Sequence, residues 1–279
     1  MSRIERKEYS CEKCVSYDFC KHIEERFHNQ IIADKGNWRE IYDNGQRVGT
    51  PIRRCAQTIF KSYESIFFNK QVLEIGCGCL SELDKQFCQE HKVNYVGIDP
   101  GRLPGVFIDN EPVFLWRVQN KVMPRILKLF NVKKYRLNKY QYYIRDAFPS
   151  EELEGRNFDL IYGNSTIEHW HEKESSLELS VEAYKRAMDE CYRLLKQGGI
   201  LLMNCPIYVH GNILFMRGEM DAIEGIFENG NWRKVTFEYW RRNYSGLMPY
   251  CPQARKEYFN NEFGIDLENI WLLNIVAKK

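Results

Sequence analysis

The run Gln71-Val72-Leu73-Glu74-Ile75-Gly76-Cys77-Gly78 constrains this chain more than any other stretch. Residues suited to a buried strand pass through Glu74 into two glycines. A helix-like stretch follows, from about Leu80 to His91. A second apolar run, Val93-Asn94-Tyr95-Val96-Gly97-Ile98, then ends on Asp99. Strand, glycine loop, helix, strand, acid is the order of a nucleoside-binding βαβ unit. Glycine lets backbone approach a ligand where a Cβ would collide. An acid at the end of the second strand accepts from both hydroxyls of a ribose, and Asp99 stands about 20 residues beyond the glycines, as such a unit requires. No Gly-Lys-Ser/Thr follows, so this is not a phosphate-gripping P-loop. No third glycine completes the dinucleotide fingerprint either.

The 279 residues suit one large α/β domain with additions. A formal net charge of +2 gives no global nucleic-acid signature. No apolar run of about 18 residues occurs, so no membrane-spanning segment is expected. Met1–Ser10 is charged and lacks an apolar signal core, which reads as cytoplasmic. The ten cysteines include the near neighbours Cys77 and Cys79, a usage that fits free thiols in a reducing compartment.

Further strand ends carry polar residues. Tyr140-Gln141-Tyr142-Tyr143-Ile144 leads to Arg145-Asp146-Ala147-Phe148. Phe158-Asp159-Leu160-Ile161-Tyr162 leads to Gly163-Asn164-Ser165-Thr166-Ile167-Glu168-His169-Trp170. A helix is expected from Ser176 to Lys196, with a core stripe of Leu177, Val181, Tyr184, Met188, Cys191, Leu194 and Leu195. Gly198-Gly199 ends it, and the strand Ile200–Asn204 follows. Ahead of the glycine loop, Thr50 and Pro51 open a helix expected to reach about Phe68.

Glu74-x-Gly76-x-Gly78 resembles the first motif of the class I S-adenosylmethionine (SAM) methyltransferases. "Leu-Leu-Lys-x-Gly-Gly-x-Leu-Leu" at 194–202 is a landmark of the same family. The resemblance covers residues 71–206. It resumes near the end, where Phe263-Gly264-Ile265 and Trp271–Val276 look like the terminal antiparallel strands. It implies a Rossmann-like α/β sheet with helices on both faces, SAM as cofactor, and enzymatic methyl transfer. It assigns Glu74, Gly76, Cys77, Gly78, Asp99, Pro100, Asp146, Ala147 and Asn164 to the cofactor, with Asp146 on the adenine amino group and Ala147 offering its backbone N–H. The Phe158–His169 run looks like that of small-molecule and glycan methyltransferases. It lacks the Pro-Pro motif of the adenine-N6 enzymes. His169 is the candidate base for an acceptor hydroxyl and Glu168 its companion, because histidine titrates near neutrality. His171 and Glu172 stand beside it as alternatives.

Three stretches lie outside this core. Residues 1–50 form a Cys-rich extension in which Cys11, Cys14, Cys20 and His22 suit a tetrahedral zinc site. Cys-x2-Cys-x5-Cys also resembles part of the iron–sulfur ligation in accessory domains of radical-SAM enzymes. The domain at 51–279 then carries insertions at about 102–139 and 207–258. Between Trp116 and Arg145 there are nine Lys or Arg and no Asp or Glu, a segment suited to a phosphorylated substrate, an RNA backbone or an anionic membrane surface. The second insertion is rich in aromatic residues and arginine, suited to sugars, phosphates or stacked bases, and equally to a lid or a dimer interface. The leading expectation is O-methylation of a small polar or anionic acceptor such as a sugar, phosphorylated sugar or glycan. An RNA-modifying enzyme with a zinc module and a non-catalytic SAM-binding protein remain open beside it.

Overall fold

The computed structural model describes residues 3–6, 41–43, 46–49, 59–77, 83, 85–99, 126, 129–130, 134–137, 140–144, 148, 153–174, 176–207, 211–228, 230–243, 251–253 and 269–279. The strands, in chain order, are β1 (Arg3–Arg6), β2 (Ile41–Asp43), β3 (Gln46–Gly49), β4 (Gln71–Ile75), β5 (Asn94–Asp99), β6 (Lys134–Leu137), β7 (Tyr140–Ile144), β8 (Phe158–Asn164), β9 (Leu195–Ile207), β10 (Lys234–Asn243), β11 (Cys251–Gln253) and β12 (Asn269–Lys278). Ten of them form one sheet in the order β1-β10-β12-β9-β8-β4-β5-β7-β6, with β11 on the side of β10. β2 and β3 pair separately, with the Asn44-Gly45 turn signal between them.

β4 lies in the middle and runs parallel to both neighbours, β5 and β8. Val72, Leu73, Glu74 and Ile75 are all buried, as in a strand covered on both faces. The chain builds outward from β4 through β5 to β7, then returns to β8 and continues through β9 on the other side. The order reverses between β4 and β8, and ligands of open α/β sheets bind at the carboxyl ends of strands at such a point.

The two faces carry separate cores. One packs Leu73, Ile75, Ile161, Met203 and Ile275 under helix α2 (Leu177–Leu194) and the shorter α3 (Ile213–Met216) and α4 (Met220–Glu228). The other packs Val72, Tyr95, Leu160, Tyr162 and Leu202 against Phe60, Phe67, Leu83 and Cys88, the last from α1 (Lys85–Glu90). Ser176 caps α2 by accepting from the Leu179 N–H at 3.1 Å, a contact worth about 1 kcal/mol. On α2 the buried stripe is Ala183, Tyr184, Ala187, Met188, Cys191 and Leu194, close to the periodicity read from sequence. The helix 51–68 is described only from Ile59, where one helical turn passes into a 3-10 turn at Glu64–Phe67.

Three boundaries differ from the sequence reading. Helix α2 stops at Leu194, because Leu195 is already extended and pairs with Phe158. The two glycines therefore sit inside β9, where the register jumps and Gly198 takes φ +77°. The stretch read as a second insertion supplies β10, which pairs with β12 along its whole length. The first insertion supplies β6, a hairpin partner of β7. Phe263–Ile265 lies outside the described residues.

Candidate active site

The carboxyl ends of β4 and β5 bring three of the expected cofactor residues together. Glu74 is 2% exposed and accepts a hydrogen bond from the Tyr95 hydroxyl. Gly76 takes φ +70°, and its N–H donates to the Ile98 carbonyl at 2.8 Å. A Cβ on Gly76 would stand 2.6 Å from the Thr166 Cβ and closer still to its hydroxyl. Glycine is required here twice over, by backbone sign and by the approach of the β8 loop. Asp99 ends β5 and is buried at 9% exposure. Cys77 is buried in the core cluster beside Tyr95, and burial raises its thiol pKa well above the ordinary value. Its side chain is therefore a packing group, and its backbone N–H donates to the Ile98 carbonyl at 3.3 Å. Gly78, Pro100, Asp146 and Ala147 lie outside the described residues, as do Cys11, Cys14, Cys20 and His22.

The β8 end makes a tight, clamped loop. Ser165 takes φ +46° and its N–H donates to the Asn204 carbonyl at 2.9 Å. Ile167–His169 form a 3-10 turn. The Tyr184 hydroxyl, from α2, lies 2.6 Å from the carbonyls of both Ile167 and Trp170 and holds that turn in place. His169 keeps 47% of its side chain exposed, and its Nδ1 meets the Glu172 carboxylate. Its Nε2 faces Glu168 Oε1 at 3.9 Å. Glu168 is wholly buried, with Asn212 donating to its backbone carbonyl at 2.6 Å. Desolvation raises its pKa from 4.5 to about 8. His171 faces Tyr184 edge-on, and burial lowers its pKa.

This buried acid has a stability signature. The folded protein holds the Glu168 proton to about pH 8 while the unfolded chain releases it near 4.5. Its contribution is complete below pH 4.5 and fades as pH rises through 8, by on the order of 4 kcal/mol. Glu168→Gln removes that titration. Urea unfolding between pH 4.5 and 8.5 is expected to show wild type losing stability relative to the variant as pH rises. Parallel pH profiles contradict the buried-acid assignment.

A row that sequence reasoning missed crosses the sheet at the same level. Asn164 on β8 is in register with Asn204 on β9, Asn204 with Asn274 on β12, and Asn274 with Glu238 on β10. Registered residues share a face, and this face also bears Glu74 and Asp99. Glu238 accepts from Asn274 Nδ2 at 2.9 Å and from the Tyr63 hydroxyl. The signal was available: Asn204 and Asn274 each interrupt an otherwise apolar strand. The described cavity of about 420 Å³ lies at the other end of the strands, between Gln71, Asn94, Arg156 and Lys196, away from the switch point.

Among the described residues no group of three or more His, Cys, Asp or Glu is placed to hold a metal. None of their helices is long and apolar enough to cross a membrane.

Residues 122–203 match the family model of a methyltransferase domain. The chain is similar to a SAM-dependent methyltransferase from Archaeoglobus fulgidus, at 16% identity over 81% of this chain and 94% of that one, with a TM-score of 0.44. It is also similar to Haemonchus contortus phosphoethanolamine N-methyltransferase 2, solved with phosphomonomethylethanolamine and S-adenosylhomocysteine, at 15% identity, TM-score 0.44, over 92% of this chain and 59% of that one. No curated protein matches. The sheet reverses between β4 and β8, with a glycine turn and buried acids at its carboxyl edge. Residues 122–203 thus carry the match to a methyltransferase domain within a mixed α/β sheet of the Rossmann-like kind.

Proposed function

We propose that this methyltransferase acts on an oxygen of a small polar acceptor, a sugar or phosphorylated sugar, with His169 as the base. The observation that carries the reading is the His169–Glu172 pair on the clamped loop after β8, beside the switch point. An imidazole that donates Nδ1–H to Glu172 keeps its Nε2 lone pair for the acceptor's proton, and Glu172 stabilises the cation that results. Glu168 carries its own proton at neutral pH and does not compete for it.

Glu74, Gly76 and Asp99 fit SAM, because the turn excludes a Cβ and a buried acid ends the next strand. When bound, SAM supplies an electrophilic methyl group on a sulfonium. Asn164 and the backbone of Cys77 complete the described part of that site, and Gly78, Pro100, Asp146 and Ala147 extend it by the sequence pattern. Asp99→Ala is expected to weaken SAM binding by on the order of 2 kcal/mol, roughly thirtyfold, in calorimetry. Unchanged affinity would move the ribose contact elsewhere.

The basic stretch between Trp116 and Arg145 supports an anionic group on the acceptor. We place the reaction in the cytoplasm because the cysteine usage fits free thiols in a reducing compartment. Isotope-labelled SAM incubated with a whole-cell extract tests the whole reading. A labelled methyl ether of a sugar is the expected product. Label found only in RNA or in amines overturns it.

The spacing of Cys11, Cys14, Cys20 and His22 carries a separate proposal, one metal centre per chain. Anaerobic protein is expected to contain one equivalent of zinc, or of iron with a cluster absorption band. Absence of both metals, with all three thiols open to alkylation, contradicts it.

A further inference from the structure

We infer that Asn204 and Asn274 form the acceptor subsite, and that it recognises the hydroxyl groups of a neutral sugar ring. The inference rests on the reading that SAM occupies the Gly76–Asp99 half of the carboxyl edge. Both amide atoms of Asn204 are buried without a hydrogen-bond partner among the described residues, in a residue that is 0% exposed. Asn274 is also 0% exposed, and its Oδ1 has none either. Native interiors satisfy such groups almost without exception. An amide left open at the edge of an active site is therefore provision for a ligand.

The placement supports this. Asn164, Asn204, Asn274 and Glu238 stand side by side at one level on one face, the face that bears Asp99. Asp99 and the glycine turn take one half of the edge, and the row takes the other. Asn164 joins the halves at the end of β8, beside the loop that carries His169. Tyr63, on the segment just ahead of β4, reaches over the sheet to Glu238.

The chemistry of the row selects the class. It offers one open amide donor group, Asn204 Nδ2, and two open acceptors, Asn204 Oδ1 and Asn274 Oδ1. A hydroxyl both donates and accepts, so neighbouring ring hydroxyls satisfy this set together. The Glu238 carboxyl behind Asn274 repels a phosphate or carboxylate, which places any anionic group of the acceptor outside the row.

The test uses the full chain saturated with S-adenosylhomocysteine. Saturation-transfer NMR is run with glucose, galactose, mannose and rhamnose, and with ethanolamine and spermidine as amine controls. Sugar signals are expected in wild type and at least tenfold weaker in Asn204→Leu and Asn274→Leu, with S-adenosylhomocysteine affinity unchanged. Leucine is near-isosteric and leaves no open amide, so the thermal midpoint of ligand-free Asn204→Leu is expected to equal or exceed that of wild type. A lowered midpoint shows that the amide, through an internal water, is structural, and overturns the inference. So do sugar signals that survive both substitutions, signals from amines alone, or S-adenosylhomocysteine binding with no sugar signal. Failure of wild type to bind S-adenosylhomocysteine removes the cofactor reading, and this inference with it.

Discussion

Replacing His169 with alanine is expected to lower kcat by about 10²–10⁴-fold, some 3–5 kcal/mol of barrier. A sugar hydroxyl, the acceptor proposed above, has a pKa far above neutral, so attack on a methyl group needs its proton withdrawn. The imidazole is the exposed base on the loop after β8, and Glu172 holds its Nδ1 side. Cofactor affinity is expected to stay near wild type, because Glu74, Gly76 and Asp99 lie on the β4 and β5 ends. His169→Gln keeps a polar group of similar reach but cannot take the proton, and is expected to restore little. Glu172→Gln should cost less, since it removes the orienting charge and keeps a hydrogen-bond acceptor. The measurements are single-turnover rates and SAM calorimetry on each variant once an acceptor is in hand. A near-wild-type rate in His169→Ala would shift the role to His171 or to positioning alone.

Gly76→Ala is expected to abolish measurable SAM binding and to destabilise the fold by roughly 3 kcal/mol. Two costs combine. A side chain at φ +70° is strained by itself. Its Cβ also meets Thr166, whose own Cβ would be 2.6 Å away. Thr166 belongs to the loop that carries His169, so relief of the clash displaces the cofactor turn and the base together. Thr166→Gly should recover part of the stability in the double variant, because it removes the collision and leaves the backbone strain. Thermal melts and calorimetry on the single and double variants separate the two terms. A Gly76→Ala protein with normal SAM affinity would show that the turn is only a chain reversal.

Local signals made the glycine turn and its flanking acids legible. Strand, glycine, acid is a pattern of neighbours, so Glu74, Gly76 and Asp99 could be read without the fold, and the stripe from Tyr184 to Leu194 declared α2. The asparagine row depends on register. Asn164, Asn204, Asn274 and Glu238 are far apart in sequence and meet only because β12 enters between β9 and β10. β10 itself was misread because Tyr239-Trp240-Arg241-Arg242 looks like a binding loop. The alternation of Val235 and Phe237 with Thr236 and Glu238 was the better guide. The Glu168-His169 pair was legible as chemistry, but the opposite fates of its members were not. Burial of Glu168 comes from the loop at Gly211 and Asn212, more than forty residues on, while His169 is left in solvent.

The placement of β12 also governs how this chain can reach its native state. β9 and β10 have no hydrogen bonds to each other, and each is bound to β12, which follows both in the chain. During synthesis the parallel half from β4 to β9 can assemble while β10 has nothing to hold it. β1 is made before all of these, yet it pairs with Lys234–Phe237 of β10. The earliest strand of the sheet is thus among the last to be seated. Contacts of such long sequence separation slow folding, because a large loop must close before they form. The exposed edge of β9 is open to other chains for that interval, and a nascent copy of this protein has its greatest need of a chaperone there.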